Sequence, residues 1–221
     1  LRNEVLESAD VGVLIANLRE DVLRSVCSYY VPVESMEEQW DLLGLENVLA
    51  NEWGLTVDLQ KWVEGAESVD DSEIVERVLQ SAKDAYDAKV DLAGRESFAG
   101  FERSVLLYSL DTHWREHLAA LDHLRQGIHL RGYAQKDPKQ EYRREAFELY
   151  GELLNVIKND VVKSIMTVQI RSASELDQAS ESMNEDLAKL KDLQYQHAEA
   201  DADMEVAGST GDRGALIDIQ P

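Results

Sequence analysis

The chain has 221 residues, and its 44 acidic and 22 basic side chains give a net charge of −22, a balance that repels nucleic acid and anionic lipid overall. Cys27 is the single cysteine, which excludes an intrachain disulfide and a cysteine-rich zinc site. With only 3 Pro and 12 Gly, the composition favours helices over a sheet, and no apolar run reaches the roughly 18 residues that a membrane span requires.

In chain order, Leu1 to about Ala9 reads as the end of a helix, and the start at Leu1 rather than Met, with no visible signal peptide, leads us to expect a piece of a longer protein. Ser8, Asp10 and Gly12 mark a break. A helix then runs to Tyr30, with Val11, Leu14, Leu18, Val22, Val26 and Tyr29 as its apolar stripe. Pro32 ends it. Ser35-Met36-Glu37-Glu38 has the form of a capping box opening a short helix that holds Trp40 and stops at Gly44. A second short helix over Leu45–Trp53 is closed by Gly54, and Asp58 caps a third containing Trp62. Three tryptophans in this acidic stretch predict the core of a compact satellite domain, because each ring buries a large apolar area.

Asp70-Asp71-Ser72-Glu73 starts a longer helix through about Leu92, with Ile74, Val78, Leu79, Ala82, Tyr86 and Val90 inward. Gly94 is a junction. Beyond it a helical pattern continues to about Arg125, with Leu107, Leu110, Trp114, His117, Leu121 and Leu124 on one side. An irregular segment, Gln126 to Lys136, contains Gly127 and Gly132. Asp137-Pro138-Lys139-Gln140 then starts a helix to about Arg171. Its stripe is Tyr142, Ala146, Leu149, Leu153, Val156, Ile157, Val161, Ile165 and Val168. Two long amphipathic helices joined by a short loop must pair antiparallel to bury their stripes, so the loop becomes a projecting tip. After Arg171 a polar helix over Ser174–Leu193 is followed by linker-like sequence.

Charge is uneven along this order. Residues 31–97 hold 17 acidic and 5 basic side chains, and 172–221 hold 12 and 3, whereas 125–144 hold 6 basic and 2 acidic. The predicted tip is therefore a cationic island.

The run from Trp114 through His117, Asp122-His123-Leu124-Arg125, Gly127-Ile128-His129-Leu130-Arg131-Gly132-Tyr133, Lys136-Asp137-Pro138 to Tyr142 closely resembles the two-helix finger of the SecA family. A weaker resemblance covers residues 1–171. It implies an all-α chain: the end of a long scaffold helix over 1–10, a helical wing over 11–94, the long antiparallel hairpin of the scaffold finger over 95–171, and an acidic, partly disordered linker tail over 172–221. It also implies a part in an ATP-driven preprotein translocase. Leu130, Arg131, Gly132, Tyr133 and Lys136 are expected at the finger tip, touching the moving polypeptide and the SecY channel. An aromatic ring gives sequence-tolerant contact, and glycines allow the sharp turn. Trp114 is expected either near the finger base, coupling it to the motor, or in the hairpin core.

The resemblance implies further partners: unfolded preproteins, signal peptides and the protein's own motor domains, with peripheral attachment to the cytoplasmic face of the inner membrane. Apolar surface on the hairpin's outer face could also drive association into a homodimer, and the sequence leaves the oligomeric state open. No G-x-x-x-x-G-K-[ST] loop is present. ATP and Mg are therefore expected only in the parent protein, with no cofactor or metal in this chain, and the isolated chain is expected to be inactive. Two other readings compete. His113-Trp114-Arg115-Glu116-His117 fits H-x-x-E-H, an inverted zinc-protease motif, although His117 is also well placed to pack beside Trp114. A stand-alone helical adaptor is the other.

Overall fold

The computed structural model describes residues 11–66, 68–128, 137–170 and 172–189, and among these every regular element is helical. Helix α1 spans Gly12–Tyr30 and ends where Val31 N–H donates to the Cys27 carbonyl at 2.8 Å, one residue before Pro32. A single 3-10 turn, Glu37–Gln39, follows. Its bond is not the expected Ser35–Glu38 box. Instead Met36 N–H donates to Gln39 Oε1 at 3.1 Å, while the Ser35 hydroxyl donates to the Pro32 carbonyl.

Helix α2 covers Leu42–Trp53 and runs through Gly44, which was expected to be a stop. The reason is Asp41. Its Oδ1 accepts the Gly44 N–H at 2.8 Å, so Gly44 sits in a capped first turn and not at a terminus. Gly54 closes α2 in the left-handed region at φ 61°, where a Cβ would be strained. Helix α3 is Leu59–Gly65. Helix α4, Asp71–Ala93, opens on a reciprocal box: Asp70 Oδ1 accepts Glu73 N–H at 2.8 Å, and Glu73 Oε2 accepts Asp70 N–H at 3.1 Å. Gly94, at φ 83°, turns the chain directly into α5, Arg95–Gly127. Helix α6, Pro138–Thr167, starts with Asp137 Oδ1 accepting Lys139 N–H at 2.9 Å and Pro138 in the first turn. It ends four residues short of the expected Arg171, because Val168 turns to an extended ψ of 130°. A last helix, α7, occupies 173–189.

Helices α5 and α6 form the most extensive pairing. His113 meets Asp160 at 3.3 Å, the His117 and Tyr150 rings lie 6.2 Å apart, and Ala120 and Leu124 share a groove with Leu149 and Arg144. As one number rises the other falls, so the helices are antiparallel. At 33 and 30 residues they are roughly 50 and 45 Å long.

The core has two clusters. One gathers Val11, Ile15, Tyr86, Phe98, Phe101, Val105 and Leu107 with Leu153, Ile157, Val161 and Ile165. The other gathers Val22, Leu23, Cys27, Leu45, Leu49, Trp53, Leu59, Ile74 and Val78 with Val162 and Met166. Of the three tryptophans, Trp53 is buried in the second cluster, and Trp40 and Trp62 pack at its edge. Helices α1, α4 and α6 contribute to both clusters. This corrects part of the α6 stripe: Val156 is 45% exposed, while Val162 and Met166, on another face, are buried. Helix α7 docks on the first cluster through Leu176 and Leu187, and Asn184 Nδ2 donates to Ser104 Oγ at 3.2 Å. No described helix is long and apolar enough to cross a membrane.

Candidate functional site

The α5–α6 pair has two unlike halves. From Phe98 to Ser109, α5 packs against α1, α4, α6 and α7, and most of its side chains are buried. The exceptional member is Glu102, which is fully buried. A carboxylate so placed is costly unless it is bonded and paired. The Tyr86 hydroxyl, from α4, donates to its Oε1 at 2.6 Å. Arg95 Nη1 lies 3.2 Å from its Oε2 and donates to the Tyr86 oxygen at 3.0 Å. Arg19, from α1, lays its guanidinium over the Tyr86 ring at 4.2 Å. Burial pushes the Tyr86 phenol up to about 12, helped by its bond to Glu102. Burial likewise lowers the Arg19 guanidinium, against the raising pull of Tyr86, Asp87 and Glu102. Three helices are thus joined by one polar knot.

Sequence reading missed this knot, because its members lie far apart along the chain. One signal was present. Position 102 falls on the same face as Phe98, Val105 and Ser109, so a glutamate there had to be buried.

Lys89 makes a second anchor. Its Nζ donates to the Ile165 carbonyl at 3.2 Å and to the Met166 carbonyl. These are orphan acceptors in the last turn of α6, which a cation satisfies. Burial lowers the ammonium's pKa.

The outer half is open. Trp114, Leu118, Phe147 and Tyr150 are 45, 43, 77 and 45% exposed. Trp114 therefore does not fill the core between the helices. It lies against His117, ring centroids 5.6 Å apart, and His117 is buried between it and Tyr150. Farther out, Ala120, His123, Leu124, Arg144, Glu148 and Leu149 line a groove between the two helices. The segment that follows, 129–136, contains Leu130, Arg131, Gly132, Tyr133 and Lys136, which lie outside the described residues.

The protease motif is assembled differently from a metal site. His113 Nδ1 is 2.9 Å from Glu116 Oε2, its Nε2 faces Asp160, and His117 turns to Trp114 and Tyr150. Both His113 nitrogens are engaged by carboxylates, and among the described residues no group of three His, Cys, Asp or Glu side chains is arranged to hold a metal ion.

Among the described residues the regular structure is all helical, and two long antiparallel helices rooted in a shared core give it a helical-scaffold architecture. The family model described as the SecA wing and scaffold domain matches residues 1–169, and the chain belongs to that family. It is 86% identical over its whole length to the "Protein translocase subunit SecA" of Polynucleobacter asymbioticus, and 87% identical to that of Polynucleobacter necessarius. Over 199 residues, 90% of the chain, it is 63% identical to the protein of the same name from Cupriavidus metallidurans. The chain spans about a quarter of the Polynucleobacter proteins, 24%, and 21% of the Cupriavidus one.

Proposed function

We propose that this chain is the wing and scaffold part of an ATP-driven preprotein translocase, with 1–10 ending a long scaffold helix, 11–94 the wing, 95–171 the two-helix finger and 172–221 a linker tail. In this reading α5 and α6 act as a rigid lever. Leu130, Arg131, Gly132, Tyr133 and Lys136 at its tip touch the moving polypeptide and the SecY channel, and Trp114 contributes to coupling with the motor. ATP and Mg are bound by motor domains beyond these residues, so the isolated chain does not hydrolyse ATP. Its other partners are unfolded preproteins, signal peptides and a second copy, and it works at the cytoplasmic face of the membrane.

The observation that carries the reading is the contrast along the α5–α6 pair. One half is locked by Glu102, Tyr86 and the first cluster, and the other stands clear with its aromatic side chains exposed. A lever needs this: a root that cannot shear and a free arm that transmits displacement. The test is Tyr133→Ala in the intact translocase. Preprotein transport should fall severely while basal ATP hydrolysis is retained. An equal loss of both would remove the tip-specific role.

A further inference from the structure

Between α1 and the α2 helix the chain makes an excursion over 31–40 whose ends are tied together: Asp41 N–H donates to the Tyr30 carbonyl at 3.0 Å. Val31 is buried at one foot. At the other, Trp40 packs against the second cluster and its Nε1 donates to Ser35 Oγ at 2.9 Å. Within the loop Ser35 N–H donates to the Pro32 carbonyl at 3.2 Å, and Gln39 N–H to the Met36 carbonyl at 2.9 Å. A short loop closed on itself in this way is a compact Ω-type surface feature and not a slack connection.

Two of its apolar side chains, between the packed feet, are exposed. Val33 and Met36 are each 73% exposed, and Tyr29, on the last turn of α1, is 78% exposed. One such residue is ordinary. Three fall within eight residues of chain on one tied loop and its stem, and apolar exposure concentrated in this way is a mark of interaction sites. Glu34, Glu37 and Glu38 stand among them, and no Lys or Arg occurs between Arg24 and Lys61. None of the three glutamates has an ion-pair partner among the described residues.

We infer that Tyr29 and the 31–40 loop form a docking surface for a separate polypeptide segment that combines Lys or Arg with aliphatic side chains. The acidic rim attracts cations and sets their register. The apolar centre, with its tyrosine, supplies the contact area. Charge also decides against other occupants. A second copy meeting this face two-fold would set Glu34, Glu37 and Glu38 against their own equivalents, and nucleic acid or anionic lipid would be repelled. The inference concerns the 31–40 loop and the last turn of α1, not the α5–α6 pair, and stands apart from the translocation reading.

The test is fluorescence anisotropy of a labelled amphipathic Leu/Lys helical peptide of about 18 residues with this chain, at about 0.15 M salt. Saturable binding is expected. Val33→Ser with Met36→Ser should weaken it at least about tenfold, and so should Glu34→Gln, Glu37→Gln and Glu38→Gln together. Glu175→Gln, Glu181→Gln and Glu185→Gln on α7 remove the same charge elsewhere and should leave binding unchanged. Circular dichroism checks that each variant is folded. The inference is overturned by absence of saturable binding, by indifference to Val33→Ser with Met36→Ser, or by equal weakening from the α7 substitutions. Sedimentation showing a dimer that Val33→Ser with Met36→Ser dissolves would overturn it too, since the face would then belong to a second copy.

Discussion

The Tyr86 hydroxyl donates to Glu102 Oε1 at 2.6 Å, joining α4 to α5 across the turn at Gly94. A hydrogen bond to a buried charge contributes more than a neutral one, and removing its donor leaves the carboxylate under-satisfied. Tyr86→Phe should therefore cost about 1.5–3 kcal/mol in urea unfolding. The pH dependence has a definite sign. Burial raises the folded phenol to about 12, above its ordinary value of 10. The unfolded chain thus loses this proton first, and the contribution of Tyr86 is complete below pH 10 and lost as pH climbs toward 12. The slope over that window should be shallower in Tyr86→Phe than in the unaltered chain. Identical slopes would mean that the phenol is not held neutral by its surroundings.

Lys89 should act locally. Replacing it by Met keeps the aliphatic stem and removes the ammonium that the Ile165 and Met166 carbonyls accept from. We expect a loss of about 1 kcal/mol, the usual range for a cation at a helix C-terminus. Hydrogen exchange should quicken in the last turn of α6 before the rest of that helix. Uniform acceleration along α6 would argue that Lys89 supports packing and not the helix end.

Cys27 is fully buried, and burial pushes its thiol up to about 12. The thiolate is the reactive form. At pH 8 the folded chain should react with a disulfide reagent only as fast as it opens. The measured rate should follow denaturant in parallel with unfolding, and with one cysteine in the chain the signal has a single source. Fast labelling of the native chain would contradict the packing of α1 against α2 and α4.

The two halves of the hairpin should respond differently to truncation. Leu153 is 7% exposed and belongs to the first cluster, so Leu153→Ala should cost about 2–5 kcal/mol. Phe147, on the same helix and 77% exposed, should tolerate Ser within about 0.5 kcal/mol. Thermal unfolding of the two variants checks both.

Much of the fold was legible because helix boundaries are chemically marked. Asp70 with Glu73, and Asp137 with Pro138, start helices where their side chains can accept or tolerate orphan amides. Gly44 misled because a glycine near a helix end was read as a stop, when Asp41 had already made it part of the next start. The early end of α6 was hidden because the group that satisfies its carbonyls, Lys89, is distant in sequence. The docking of α7 was hidden as well, since two leucines and an asparagine on a polar helix give no periodic signal strong enough to declare a buried face. The contact roles given to Leu130, Arg131, Gly132, Tyr133 and Lys136 rest on the resemblance, whereas the expectation of a cationic loop between two paired helices came from periodicity and charge. The Glu102 knot required a three-dimensional arrangement of α1, α4 and α5 that no local pattern encodes.

The stripe on α6 was expected to be single, yet its C-terminal half turns Ile157, Val161 and Ile165 to one cluster and Val162 and Met166 to the other. A helix wedged in this way behaves like an axle seated in two bearings. Rotating it by even a fraction of a turn would unseat large side chains on both sides at once, so a twist delivered at Pro138 cannot be absorbed by one cluster and spared the other. Whatever load reaches the free end of the hairpin is delivered to the whole body together.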